Sequence, residues 1–273
     1  FESLNKTIFY GQYTRLRSYW QTTDLEAKGL PSRKELVLLE PLRDTIPSEV
    51  FTQEFTQPTT GGDGNPRDNL LKARGLLAAA GWEIVNGQLI DKVSKGPFTF
   101  EMLAVSPTLE RIVLPWLQNL EKLGIKGTLR IIDASQIVNR VSDFDFDAIS
   151  SGVQNSMSPG NEQDEYWGST AADRAGSRNI SGVKSPAVDV LIAAMIKAQD
   201  RESLADAAHA LDRVLTWNHF ATLHYGPSVD RYAYWTKLQH PERFPAQGMP
   251  GATLAAVHWW MDPAAAQTSE GPP

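Results

Sequence analysis

The run Phe98-Thr99-Phe100-Glu101-Met102-Leu103-Ala104-Val105 constrains the fold more than any other stretch of the chain. It is rich in apolar residues on both faces, the pattern of a strand covered on both sides. Ser106-Pro107 then opens a helical pattern in which Leu109, Ile112, Val113, Trp116, Leu117, Leu120 and Leu123 follow a 3.6-residue period. Pro115 removes one backbone donor inside that helix, so a kink is expected near residue 111. Gly124 ends it, and Gly127-Thr128-Leu129-Arg130-Ile131-Ile132 supplies a second strand. Strand, helix, strand at this spacing predicts a parallel pair joined by a right-handed crossover. A short helix from Ser135 to Val141 and a third strand from Phe144 to Ile149 extend the unit, so the centre of the chain is α/β.

On either side the pattern is mainly helical. Phe1 to about Thr23 reads as a helix running into an aromatic, basic stretch, Tyr10, Tyr13, Arg15, Arg17, Tyr19 and Trp20. Ser32 is placed to cap a helix through Leu42, and Asn65-Pro66 to open another that stops at Gly81. Ser185-Pro186 starts a helix with Val188, Leu191, Ile192, Met195 and Ile196 on one face. A second carries Leu204, Ala207, Ala208, Leu211, Val214 and Leu215, and both are expected to pack on the sheet. Phe220 to Tyr225 reads as a strand.

Several chemistries are excluded or unsupported. With 26 basic and 32 acidic residues in 273, the net charge is −6, the wrong sign for a nucleic-acid partner. There is no cysteine, hence no disulfide framework, thiolate metal site or cysteine nucleophile. No apolar run approaches the roughly 20 residues of a membrane span. Asp143-x-Asp145-x-Asp147 resembles the start of a calcium loop, but Ala148 and Gln154 stand where Gly and Glu are needed; a strand with one polar face accounts for the alternation. Thr59 to Asn65 precedes a helix without a complete phosphate-binding motif. The five histidines show no tight ligand spacing, and His209 reads as a solvated residue on a helix flank. No cofactor is implied, and no catalytic pattern appears.

One segment stands apart. Ser150 through Gln163 is a long loop rich in Gly, Ser, Asn and Gln, placed directly after the third strand and followed by Tyr166-Trp167. Ligands of open α/β sheets bind beyond the carboxyl ends of strands, and amides, hydroxyls and flexible backbone there suit an extended polar ligand.

The stretch from Phe146-Asp147 through Ser158-Pro159-Gly160-Asn161-Glu162-Gln163 to Tyr166-Trp167-Gly168-Ser169 resembles the second lobe of family 5 extracellular solute-binding proteins, the oligopeptide and dipeptide binders, and in particular their YejA-like subgroup. Further matches are Phe9-Tyr10-Gly11-Gln12-Tyr13-Thr14-Arg15, Gly29-Leu30-Pro31-Ser32, Gly176 to Gly182 and Ala210 to Leu215. The resemblance implies a lobe of the type II periplasmic-binding-protein kind, a mixed sheet flanked by helices, that closes with another lobe over a peptide or other small solute. It implies a periplasmic location and delivery to an ABC permease. Residues 1–225 would form the second lobe. Residues 226–273 would return through the hinge and pack on the first lobe, whose sequence is mostly absent from this chain; their aromatics Tyr232, Tyr234, Trp235, Trp259 and Trp260 would then need that partner. A signal peptide would lie outside the chain.

By the same resemblance the ligand is held by Gly152, Val153, Gln154, Asn155 and Ser156, with Tyr13, Arg15, Tyr19, Asn161 and Trp167 nearby. Arg15 would meet a ligand carboxylate. The chain departs from the family where Val153 and Ser156 replace a Trp and the Asp that holds a peptide amine. A neutral serine cannot make that charge-assisted bond, so either Glu162 or an acid elsewhere meets the amine, or the ligand is a modified peptide or another amide-bearing solute.

Overall fold

The computed structural model describes residues 1–60, 64–153, 155–227, 229, 231, 233–235, 237–243 and 258–261. Chain contacts divide it into two units: Phe1–Gly11 with Arg15–Tyr225, and Gln12–Thr14 with the chain from Gly226 onward. The elements in order are α1 (Glu2–Thr7), β1 (Tyr13–Arg15), α2 (Arg33–Leu39), α3 (Glu49–Thr52), α4 (Arg67–Ala79), β2 (Trp82–Val85), β3 (Gln88–Asp91) and β4 (Thr99–Ala104). Then follow α5 (Glu110–Glu121), β5 (Lys126–Ile131), α6 (Ala134–Ser142), β6 (Ala148–Ile149), α7 (Glu162–Trp167), α8 (Pro186–Ile196), α9 (Arg201–Trp217), β7 (Tyr225–Pro227), β8 (Leu238–Gln239) and β9 (Trp260–Met261).

The α/β layer of the first unit is built around β4. It pairs in parallel with β5 on one side, Met102 opposite Leu129, and with β6 on the other, Met102 opposite Ala148. Side chains alternate across a strand, and the two neighbours Phe100 and Glu101 show where the covering helices lie. Phe100 packs against Trp116 of α5, ring centroids 5.6 Å apart, while Glu101 takes Arg140 of α6 at 3.2 Å. The two crossover helices therefore cover opposite faces. Gly127 of β5 lies so close under α5 that a Cβ would sit 2.5 Å from Leu117 Cδ2.

Gly124 fixes the return from α5 to β5. Its φ is +80°, and a Cβ would lie 2.6 Å from the backbone nitrogen of Leu89. Gly124→Ala should therefore cost about 2 kcal/mol or more, the left-handed penalty plus a backbone overlap. Gly81→Ala shares the positive φ but meets nothing within 4 Å, and should cost about 1 kcal/mol. Urea midpoints of the two variants check this, and equal losses would remove the close approach as a cause.

Helices α2, α8 and α9 make a separate core with Trp20, Leu25, Val50 and Trp167. The expectation that α8 and α9 lie on the sheet is thus corrected. Val188, Leu191, Ile192 and Met195 of α8 and Ala207, Leu211, Val214 and Leu215 of α9 bury against one another and against Leu39. The caps follow local sequence: Ser185 Oγ accepts from Val188 N, Asp200 from Ser203 N, and Ser32 from Glu35 N in a reciprocal box.

Other expectations give way to local backbone effects. The long helix over 1–23 is only α1, because the chain reverses at Tyr10 and Gly11 with φ of +52° and +73°. Helix α2 stops at Leu39, and Pro41 lies in a tighter turn, Glu40–Thr45. The strand over 144–149 shrinks to Ala148–Ile149. Phe144 takes φ +54° after α6, and Asp145 and Asp147 turn to Arg140 and the Glu101 amide instead of lining a polar strand face. The strand at 220–225 begins only at Tyr225. His209 is half-buried rather than freely solvated: its Nε2 lies 2.8 Å from Asp24 O, and its Nδ1 lies 3.7 Å from the buried Glu35. Helix α5 holds Pro115 inside it, as expected.

In the second unit β8 and β9 pair antiparallel, Leu238 opposite Met261. Tyr234, His240 and Trp259 form one aromatic cluster in which Tyr234 Oη is 2.8 Å from His240 Nε2. Tyr234 and Trp259 thus have partners within the chain, whereas Trp235 and Trp260 are 67% and 51% exposed. Tyr232 lies outside the described residues. Among the described residues no helix is long and apolar enough to cross a membrane.

Candidate functional site

The sheet order β5-β4-β6 places the candidate site. From β4 the chain crosses to β5 on one side, then returns past β4 to β6 on the other. Connections therefore diverge beyond the carboxyl ends of β4 and β6, the position ligands occupy in open α/β sheets. Val105 leaves β4 there, and Ser150 leaves β6. Ser150, Ser151, Gly152 and Val153 are all exposed, and none of the four carries a charge.

Beyond that edge the loop is fastened from below. Asn155 Nδ2 donates to Tyr19 O at 2.9 Å, and its Oδ1 accepts from Gln163 Nε2 at 3.1 Å. Tyr19 N in turn donates to Asp212 Oδ1 at 2.8 Å, and Ala27 N to Asp212 Oδ2 at 3.2 Å. The Tyr19 ring meets Trp167 edge-on, with centroids 4.9 Å apart. Bonds between near neighbours in sequence shape the rest of the loop: Ser158 N donates to Ser156 Oγ at 3.1 Å and Gly160 N to Glu162 Oε2 at 3.0 Å. Arg201 ties Met157 O to Asp24.

Burial dominates the electrostatics here. It pushes the Asp212 carboxyl up to about 6, against the hydrogen bonds from Ser18, Tyr19 N and Ala27 N that pull it down. Burial and then the Asp212 charge drive the Tyr19 phenol far above its usual range. Tyr19 Oη, Gln163 Oε1 and Trp167 Nε1 are buried without a hydrogen-bond partner among the described residues, so the floor of the loop holds polar capacity beyond its bonds to them.

The structure brings Tyr19, Asn155 and Trp167 together, but not all of them present side chains at the surface. Trp167 is 3% exposed and belongs to the helical core. Asn161 is exposed at the start of α7 and makes no cap bond. Arg15 is held by Glu2 at 3.0 Å, with its guanidinium 5.9 Å from the Phe1 ring centre. Tyr13 belongs to the second unit, and Gln154 lies outside the described residues. Sequence reasoning missed Asp212 as part of the site and took Gln163 only as the end of the loop. A signal existed for Asp212: it is an acid four residues after Ala208 and next to Leu211, on the apolar stripe of α9. Elsewhere, a groove of about 460 Å³ lined by Lys34, Val37, Ala194, Asp200 and Asp206 lies among the helices and shares no residue with the loop. Among the described residues no three His, Asp or Glu side chains converge as metal ligands.

The sheet is thus parallel throughout its three strands, with a neutral, exposed segment at its carboxyl end. Residues 1–174 match Bacterial extracellular solute-binding proteins, family 5 Middle. The chain belongs to this family of extracellular solute-binding proteins. It is 42% identical over 271 residues to the uncharacterized protein y4wM of Sinorhizobium fredii, covering 99% of this chain and 40% of that protein. It is 41% identical over 262 residues to the probable peptide-binding protein YejA of Agrobacterium fabrum, covering 95% of this chain and 42% of the other. The chain thus spans about two-fifths of the length of the curated relatives it matches. The oligopeptide-binding protein of Thermus thermophilus, solved with a pentapeptide, shares the fold with a TM-score of 0.60 at 16% identity, over 83% of this chain and 35% of that one.

Proposed function

We propose that this chain is the ligand-gripping lobe of an exported substrate-binding protein that captures an oligopeptide or peptide-like solute and delivers it to an ABC permease. The observation that carries the reading is the exposed stretch Ser150–Val153 at the carboxyl edge of the sheet, with its following loop fastened by Asn155. An extended ligand laid along such an edge gains main-chain hydrogen bonds, and neutral surroundings suit its peptide groups. The relatives described as solute-binding and peptide-binding support the same role, and it requires no chemistry. On this reading the remainder of the relatives' length corresponds to the opposing lobe, closure of the two over the solute couples binding to transport, and the protein works in the periplasm. Exposed Trp235 and Trp260 supply apolar surface for that lobe.

In the full-length protein, replacing Gln154 and Asn155 together with Ala should weaken binding of a tripeptide probe about tenfold, the loss of one or two hydrogen bonds, with the thermal midpoint nearly unchanged. Unchanged affinity in calorimetric titration would discard the site.

A second reading narrows the ligand. Ser156 Oγ and the Glu162 carboxylate are already hydrogen-bonded within the loop, and a serine offers no countercharge to an ammonium. A solute with a blocked amine, such as an N-acylated peptide or an amide conjugate, fits this lobe at least as well as a free peptide. N-acetyl-trialanine should bind no more weakly than trialanine; a tenfold preference for the free amine would overturn this second reading.

A further inference from the structure

The helix α9 lies behind the loop, and one of its residues is tied to the site by an unbroken chain of hydrogen bonds. Asp212 is 1% exposed. Its two carboxylate oxygens receive Tyr19 N at 2.8 Å and Ala27 N at 3.2 Å, from either end of one strap of chain. The carbonyl of the same Tyr19 receives Asn155 Nδ2 at 2.9 Å, and Asn155 Oδ1 receives Gln163 Nε2 at 3.1 Å. The loop that follows the exposed edge is thus anchored to the core through Tyr19, and Tyr19 is anchored by Asp212.

We propose that Asp212 is a positioning residue for ligand binding: by clamping the strap 19–27 it fixes Tyr19, and through Tyr19 the loop that carries Asn155. The proposal rests on the reading of Ser150–Val153 as the ligand edge. Asp212 itself is too deeply buried to meet a ligand; its effect is on preorganisation, which sets how much ordering binding must supply. A buried carboxylate suits the task because it accepts from two amides at once. A neutral side chain of the same shape cannot. An asparagine keeps one acceptor and turns an N–H toward the second amide, so one of the two anchors is lost. Protonation of the carboxyl does the same. The charged groups around the strap are already paired: Glu26 with Arg17 and Lys28, Arg213 with Glu35, and His209 with Asp24 O and Glu35.

Amide hydrogen exchange and trialanine titrations on the full-length protein, at pH 7.5, test this with Asp212→Asn, Asn155→Ala and the double variant. Asp212→Asn should speed exchange at Tyr19 and Ala27 and also through 150–161, and should weaken trialanine binding about tenfold. Asn155→Ala should loosen only 150–161, and the double variant should bind no more weakly than the weaker single variant. Loosening of 19–27 with no change at 150–161, or additive losses of affinity, overturns the proposal. If the unaltered protein binds neither trialanine nor N-acetyl-trialanine, the functional reading fails while the exchange data still decide whether Asp212 controls the loop. Should Asp212→Asn not fold, exchange of the unaltered protein in increasing sub-denaturing urea replaces it: the amides of Tyr19 and Ala27 and those of 155–161 should open as one cooperative unit, and separate openings overturn the clamp.

Discussion

Replacing Arg213 with methionine should lower the unfolding free energy by about 3–5 kcal/mol, the usual cost of stranding one member of a buried ion pair. Arg213 is 4% exposed and donates through Nε to Glu35 at 2.7 Å, through Nη1 to Gly29 O at 2.6 Å and through Nη2 to Lys28 O at 2.9 Å. The variant leaves the Glu35 carboxylate, itself 4% exposed, without its guanidinium partner and takes the Arg213 donors from two carbonyls. Adding Glu35→Leu should recover most of the loss, since a well-packed apolar pair replaces a buried ion pair at little cost. Denaturant midpoints of both variants provide the measurement; a single variant within about 1 kcal/mol of the unaltered protein would sink the assignment.

The same pair sets a pH dependence. Burial raises the Glu35 carboxyl, but the nearby His209 ring, the hydrogen bond from Arg213 and the Arg213 charge outweigh it and hold it at about 2. A depressed carboxyl contributes stability that is present above its unfolded value of 4.5 and is lost as pH falls toward 2. That loss is on the order of 2 kcal/mol, less than the full linkage value because solvent reaches one edge of the network. His209 is shifted upward, first by the neighbouring Glu35 carboxylate. Its contribution is complete below 6.5 and is lost as pH rises through the higher folded value. The network should be most stabilising between about pH 4.5 and 6.5, which thermal midpoints measured across pH 2–9 would reveal.

Trp167→Ala should cost a comparable amount, about 3–5 kcal/mol, as truncation of a buried indole does. Trp167 is 3% exposed, closes the core beneath Tyr19 and is followed by Gly168, where a Cβ would lie 2.7 Å from Asp164 O. Loss of ligand affinity in that variant should therefore track loss of folded protein. Trp167→Phe separates the two roles. It should retain affinity within a few-fold and most of the stability; abolished binding at unchanged stability would mean that the indole itself touches the ligand.

Much of this architecture was legible wherever local rules govern. The period of α5, the apolar run of β4 and the glycine at 124 define the β-α-β unit without reference to the rest of the chain, and the caps at Ser32, Ser185 and Asp200 mark their helices. The hairpin β2–β3 was legible too, and overlooked. Asn86-Gly87 both take positive φ in its two-residue turn, the commonest hairpin signature. Where the reading failed, the apolar spacing was too short to separate one helical turn from a longer helix, as at α1, or an aromatic stood at a left-handed position, as at Phe144. The sheet was expected to support α8 and α9 because amphipathicity reports that a face is buried, not what buries it.

The sequence by itself determined the family, the α/β core and the loop that follows its third strand, because motifs and periodicities are properties of neighbours along the chain. Only the tertiary structure decided what holds that loop. Tyr19 meets Asp212 across 193 positions, Asn155 meets Tyr19 across 136, and Arg213 meets Glu35 across 178. A hydrogen bond requires two groups within about 3 Å, and no pattern within either segment encodes which distant residue arrives there. Burial, which decides whether Asp212 is an ordinary surface acid or a clamp and whether Trp167 faces ligand or core, is settled only when the helices close around them.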